Sequence, residues 1–256
     1  MIYVLGDFCV MRGSQLVPLR AGGKSETLLA YLAVEQGGPV ARSVLVGLLW
    51  PHSEPALASH SLSNHVLALQ KLLAPALHRS QPVVAEGSFL RLNVMAGIGI
   101  DLACFERLAH TGDQQVEAGD IPAAMLCYTQ AVALYRGDLC LAVDMRTIME
   151  RERLRARVLT VLSRLTNYCF RNGDDATCLE HLWHLLAVDP CHEEAHRMVM
   201  RCYLRRGQRG AALRQYHLCA DLLRATFGAV PEPATSELFA QIRDQTEAKD
   251  AAMIET

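Results

Sequence analysis

The chain has 256 residues, of which 51% are hydrophobic and 20% charged, with 25 Lys/Arg against 27 Asp/Glu and a formal charge of −2. That balance fills one large or two ordinary cores and excludes a disordered polyelectrolyte. No run reaches the roughly 18 uninterrupted apolar residues of a membrane span. The N-terminal Met1-Ile2-Tyr3-Val4-Leu5-Gly6-Asp7 lacks the basic start of an export signal. The nine cysteines contain no CxxC pair and read as reduced thiols, so the expected location is cytoplasmic and no membrane partner is expected.

Charge is uneven along the chain. Residues 1–95 hold seven Lys/Arg against five Asp/Glu, a net +2, which leaves −4 for the remainder. A mildly basic head on an acidic body is compatible with nucleic-acid contact by the head.

In chain order, Ile2-Tyr3-Val4-Leu5, Phe8-Cys9-Val10-Met11 and Gln15-Leu16-Val17-Pro18-Leu19 read as short strands separated by Gly6-Asp7 and Arg12-Gly13-Ser14. Three helices follow. The first runs from Ser25 to Glu35, and Gly37-Gly38-Pro39 ends it. The second runs from Ala41 to Leu49 and stops at Trp50-Pro51. The third, Ala56 to Leu73, places Ala58, Leu62, Val66, Leu69 and Leu73 on one face, and Pro75 closes it. Val83-Val84-Ala85 and Phe89-Leu90-Arg91-Leu92 then read as a hairpin around Glu86-Gly87-Ser88. Strands, three helices and a hairpin give the order of a winged helix–turn–helix, an α+β head over residues 1–95. In such heads the third helix enters the major groove and the hairpin meets the phosphate backbone.

From about Asp101 the pattern is helical throughout, punctuated by Gly119-Asp120, Gly137-Asp138, Gly173-Asp174, Asp189-Pro190, Gly207 and Gly228. Gly173 and Gly207 are 34 residues apart, with small residues after each turn (Ala123-Ala124, Ala176-Thr177, Ala211-Ala212). That period and those small residues mark an all-α tetratricopeptide-like repeat domain over residues 100–245. Residues 246–256 form a polar tail expected to fray.

At this point the residues resemble a known family. Asp189-Pro190-Cys191-His192-Glu193-Glu194-Ala195-His196-Arg197, Gly207 to Tyr216 and Phe227 to Thr235 are similar to segments of the bacterial transcriptional activator domain. Leu134-Tyr135-Arg136-Gly137-Asp138 and Glu150-Arg151-Glu152-Arg153-Leu154 share its habits. Leu5-Gly6-Asp7-Phe8, Leu48-Leu49-Trp50-Pro51 and His65 to Leu73 fall where the family's antibiotic-regulatory-protein-like head has its motifs, and the resemblance implies that this head is a winged helix of response-regulator type. The resemblance covers about Ile2 to Ile242. It implies a non-enzymatic, DNA-binding transcriptional regulator that binds double-stranded DNA. Such a regulator acts by recruiting RNA polymerase or another regulator and is controlled through its helical repeats.

The third helix then offers His60, Asn64, Leu67 and Lys71 to solvent. Asn64 suits adenine, Lys71 suits guanine or phosphate, and Arg79 and Arg91 flank the hairpin. Lys24, at the entry to the first helix, is expected near phosphate. Relatives usually carry several arginines late in this helix, where this chain has Ala68, Gln70 and Lys71. An alternative is therefore an interaction module with weakened DNA binding. Another is a sensor for an anionic effector such as a nucleotide second messenger. Its ligand or partner groove would be lined by Arg151, Arg155, Arg197, Arg201 and Arg205, of which the last three are spaced i, i+4, i+8. Tandem DNA half-sites make a homodimer the expected assembly.

Three further motifs read as structural. Gly22-Gly23-Lys24-Ser25 lacks a phosphate loop's first glycine, since that position is Pro18. His192-Glu193-Glu194-Ala195-His196 is a literal HExxH, with Cys191, His181, His184 or Glu180 nearby as third ligands. It falls at a repeat helix start, however, so neither a metal nor any other cofactor is expected. Cys127, Cys169, Cys178, Cys202 and Cys219 read as small core residues, and Trp50 and Trp183 as packing anchors.

Overall fold

A computed structural model describes residues 1–77, 80–141 and 145–254, with residues 145 and 245–254 as backbone only. The chain divides into two compact units, Met1–Leu154 and Arg155–Thr256.

The first unit opens with β1 (Ile2–Tyr3), β2 (Cys9–Arg12) and β3 (Gln15–Leu16), an antiparallel sheet with Ile2 opposite Val10 and Met11 opposite Leu16. The first strand was expected to reach Leu5 but ends at Tyr3. The amides of Val4 and Leu5 instead donate to the carboxylate of Asp101, at 2.9 and 3.0 Å. Gly6, at φ +94°, then passes so close to Arg136 and Gly137 that a Cβ would lie 3.2 Å from the Arg136 backbone.

Next come α1 (Lys24–Val34), β4 (Val40–Ala41), α2 (Arg42–Leu49) and α3 (Pro55–Leu73). A short 3₁₀ turn over Ala74–Ala76 around Pro75 follows. α1 buries six successive residues, Leu28 to Ala33, and so is central to the head rather than amphipathic. Pro55 opens α3, where a missing N–H costs nothing. β5 (Val83–Glu86) and β6 (Phe89–Leu92) form the expected hairpin, turning at Gly87 with φ +58°. β4 adds to β6, with Val40 opposite Leu90, in the order β4-β6-β5. That two-residue strand has no periodic signal in the sequence and was not expected.

α4 (Asp101–Glu117) and α5 (Ile121–Leu134) follow as a tight pair. Ala109, Ala124 and Ala131 are buried, and Gly112 lies against the ring of fully buried Tyr128, whose hydroxyl donates to Asp113 at 2.7 Å. Asp101, with no exposed surface, joins this pair to the N-terminal strand. Besides Val4 and Leu5 it accepts from its neighbour Leu102 at 2.8 Å, and Arg136 approaches to 3.9 Å. Burial dominates its electrostatics and raises the carboxyl's pKa, while the three N–H donors and Arg136 oppose that shift.

α6 (Met145–Arg171) spans the boundary between the units. The second unit continues with α7 (Asp175–Val188), α8 (Glu193–Arg205), α9 (Arg209–Phe227) and α10 (Pro233–Ile254). Each of the three inter-helix turns at Gly119, Gly173 and Gly207 has positive φ (+81°, +75° and +70°), the left-handed conformation that ends a helix with least strain in glycine. Asp120 and Asp174 then cap the next helix, each accepting from the N–H three residues on at 3.1 Å. The 34-residue period fails between Gly119 and Gly173 because α6 is 27 residues long. Helical backbone persists through Ile254, within the stretch expected to fray, where Gln245, Glu247, Ala248, Lys249 and Ala251 are good helix formers; residues 255 and 256 lie outside the described residues.

Cys169, Cys178, Cys202 and Cys219 lie in the core as expected, whereas Cys127 is only half-buried. Trp183 is 42% exposed and anchors no core, against expectation. In the same unit Tyr216 of α9 stacks on Phe239 of α10, with ring centroids 4.0 Å apart.

Candidate nucleic-acid interface

The apolar face of α3 is buried as its period requires: Ala58, Leu62, Val66, Leu69 and Leu73 are each at most 7% exposed. The opposite stripe, Leu57, His60, Asn64, Leu67 and Lys71, is exposed. His60, Asn64 and Lys71 have no hydrogen-bond or ionic partner among the described residues, so their donors and acceptors are available to a ligand. Neighbouring polar groups are already engaged. The hydroxyl of Ser63 accepts from Arg42 Nη2 at 2.7 Å, fixing the start of α2 against α3. Gln70 donates to the Val83 carbonyl at 3.2 Å, tying α3 to the hairpin. His65 Nδ1 lies 2.7 Å from Ser25 Oγ, and its ring is tilted against Trp50.

Two cations expected at this surface are partly committed. Lys24 Nζ donates to the Leu49 carbonyl at the end of α2 and lies 5.1 Å from the centre of the Trp50 ring. Arg91 pairs with Glu86 at 2.8 Å within the hairpin. Arg79 lies outside the described residues. Arg42, placed beside α3 by Ser63, is a basic residue at this surface that helical periodicity does not single out.

The arginines expected to line a groove are occupied by the protein itself. Arg151 donates from Nε and Nη2 to the Leu139 carbonyl, at 3.2 and 2.7 Å, and from Nη2 to the Leu141 carbonyl at 2.6 Å. Arg155 is half-buried and engaged. Arg197 pairs with Glu194 at 2.6 Å and Glu232 at 2.8 Å, and donates to Thr235. Arg201 meets Glu194 at 3.2 Å. Arg205 pairs with Asp175, donates to the Phe170 carbonyl at 2.9 Å and stacks 3.7 Å over the Phe170 ring. The i, i+4, i+8 stripe is therefore not an open cationic track, because carboxylates from α7, α8 and the α9–α10 turn neutralise it.

The HExxH residues are similarly used. His192 caps α8, accepting from the Ala195 N–H at 3.2 Å, and Glu193 accepts from the Glu232 N–H and the Thr235 hydroxyl. His196 is 1% exposed, with Nε2 2.9 Å from the Pro190 carbonyl and Nδ1 2.7 Å from Gln215. A carbonyl partner requires a proton on Nε2, which leaves Nδ1 to accept from the Gln215 amide. Burial lowers its pKa and keeps it neutral. Among the described residues no group of three His, Cys, Asp or Glu side chains is placed to hold a metal. Burial also pushes the Cys140 and Cys219 thiols up to about 12, so both stay protonated at neutral pH.

Comparison with known proteins agrees with this architecture. The bacterial transcriptional activator domain matches residues 100–243. The chain is 29% identical to the regulatory protein DnrI of Streptomyces peucetius, over 88% of this chain and 85% of that one. It is 30% identical to the transcriptional regulator RedD of Streptomyces coelicolor, over 95% and 70%. It is 26% identical to the regulatory protein AfsR of S. coelicolor but spans only 24% of that much longer protein. A solved structure of Mycobacterium tuberculosis EmbR in complex with a low affinity phosphopeptide superposes with a TM-score of 0.72 at 22% identity. That match covers 95% of this chain and 65% of the EmbR chain. At that identity the likeness speaks for the fold, including a tetratricopeptide-like helical part. With the family domain matching more than half its length, the chain belongs to the bacterial transcriptional activator domain family.

Proposed function

We propose that the protein is a DNA-binding transcriptional regulator whose residues 1–95 act as a winged helix–turn–helix. The observation that carries this reading is the exposed stripe of α3. His60, Asn64 and Lys71 are unpartnered there among the described residues, and the β5–β6 hairpin is tied to the same helix by Gln70. In the major groove, Asn64 would read adenine through paired hydrogen bonds and Lys71 a guanine or a phosphate, while the hairpin follows the backbone. Relatives named as a regulatory protein and a transcriptional regulator support the same class. The helical repeats would then contact RNA polymerase or another regulator, and paired half-sites would bring two copies together.

With Lys24 and Arg91 partly committed, few phosphates are neutralised, and affinity rests on about three contacts. Counterion release then predicts that binding weakens about 40-fold between 50 and 200 mM salt. Electrophoretic shift with the DNA upstream of the chain's own coding sequence tests this. Lys71→Ala should reduce the weakening to about 12-fold. No retarded species at 50 mM salt, or an unchanged slope in the variant, refutes the proposal.

A second reading, a protein-docking head, draws on Leu57 and Leu67, which are 65% and 53% exposed on the same stripe. It predicts that Leu57→Ser abolishes partner capture while no DNA is retained.

A further inference from the structure

A cavity of about 750 Å³ opens in the first unit between α1 and the first turns of α6. Its volume is that of a small-molecule site. The walls are apolar: Tyr31 and Val34 from α1, Leu139 and Leu141 from the segment after α5, and Met149 from α6. Arg151 fixes the Leu139–Leu141 wall by its three hydrogen bonds to those two carbonyls. Met149 is 68% exposed, and its flexible thioether can adapt to an occupant.

The polar groups at the cavity define what it accepts. Arg146 pairs with Glu35 at 2.6 Å, with Nη1 3.4 Å from the Tyr31 hydroxyl. Arg153 is bound by Glu150 at 2.6 Å and by Glu106. The two cations of the lining, Arg146 and Arg153, are thus each paired with a carboxylate of the lining, Glu35 and Glu150. An anion entering here must compete with Glu35 and Glu150 for these guanidinium groups, while a neutral molecule keeps both ion pairs intact.

We infer that this cavity is a binding site for an uncharged, mainly apolar small molecule. A hydrogen-bond acceptor at one end of the ligand would accept a hydrogen bond from the Tyr31 hydroxyl or the Arg146 guanidinium. This ligand class differs from the anionic effector that the arginine spacing implies. The site stands independently of whether α3 reads DNA. Because α1 is the central helix of the head, an occupant would touch the head directly.

The test uses the full chain and two probes of nearly the same shape. Neutral N-phenyl-1-naphthylamine should show a saturable fluorescence rise at one probe per chain. Its sulfonated analogue, 1-anilinonaphthalene-8-sulfonate, should bind at least tenfold more weakly. Met149→Glu places a charge on an already exposed wall residue, so the thermal midpoint should hold while the affinity for the neutral probe falls at least tenfold. Val34→Trp should lower that affinity by filling the cavity. Leu218→Glu, on the exposed apolar surface of the second unit, should leave binding unchanged. Absence of saturable binding by the wild type, or wild-type affinity in Met149→Glu, overturns the site. Equal or tighter binding of the sulfonated probe overturns the neutral ligand class.

Discussion

Replacing Asp101 with alanine removes the acceptor that ties the N-terminal strand to the α4–α5 pair. Val4 and Leu5 have no exposed surface, so water does not replace the lost carboxylate, and both amides are stranded. A stranded buried donor costs about 1–3 kcal/mol, giving at least about 2–6 kcal/mol for the two strand amides, to which the buried Leu102 amide adds. Relief of the burial cost that raises the Asp101 pKa offsets part of this and leaves a net loss of about 2–4 kcal/mol. For a protein of this size that lowers the melting midpoint by about 5–15 °C. The two tryptophans permit a local readout, since Trp50 belongs to the first unit and Trp183 to the second. In a Trp183→Phe background, the Trp50 fluorescence transition should shift by that amount on Asp101→Ala. A loss below about 1 kcal/mol refutes the reasoning, because it means the strand amides find other partners.

Three more outcomes follow from the geometry. Gly112→Ala would place a Cβ 2.4 Å from the Tyr128 ring, so overpacking should cost at least about 1–3 kcal/mol in urea unfolding of the first unit. Unchanged stability would mean that α4 and α5 are less closely packed. His196 has a folded pKa below the unfolded value of 6.5, so its contribution is fully present above pH 6.5 and is lost as pH falls through the folded pKa. Burial shifts His181 in the same direction, so the Trp183-reported urea midpoint should fall between pH 7.5 and 5.5. A higher midpoint at acid pH contradicts both assignments. Glu193→Gln weakens the acceptor for the Glu232 amide and the Thr235 hydroxyl, so amide exchange at the start of α10 should accelerate while that of α7 does not.

Much of the head was legible because its information is local. The apolar period of α3 predicts both the buried face and the exposed stripe, and the hairpin follows from two alternating runs around Glu86-Gly87-Ser88. The Gly-Asp turns of the repeats are equally local, since positive φ and side-chain capping are properties of two adjacent residues. What sequence could not supply is pairing at a distance. The partners of Asp101 lie 97 and 96 residues away and shorten the first strand, and Glu232, 35 residues from Arg197, closes what spacing alone presents as a basic stripe. The α1–α6 cavity is invisible for the same reason, because its walls come from three separate segments whose side chains are unremarkable individually. Trp183 shows the opposite failure, in that a residue type that usually anchors a core is left half in solvent by its place on α7.

The central claim is that the outward stripe of α3 reads duplex DNA. Sequencing the genomic fragments retained by the purified chain, beside an Asn64→Ala, Lys71→Ala double variant, tests it most directly. The account predicts a small set of sites sharing a sequence for the wild type, with loss or relaxation of that sequence in the variant. Retention of the same sites with the same base preference by the double variant would contradict it, as would retention without any shared sequence by the wild type.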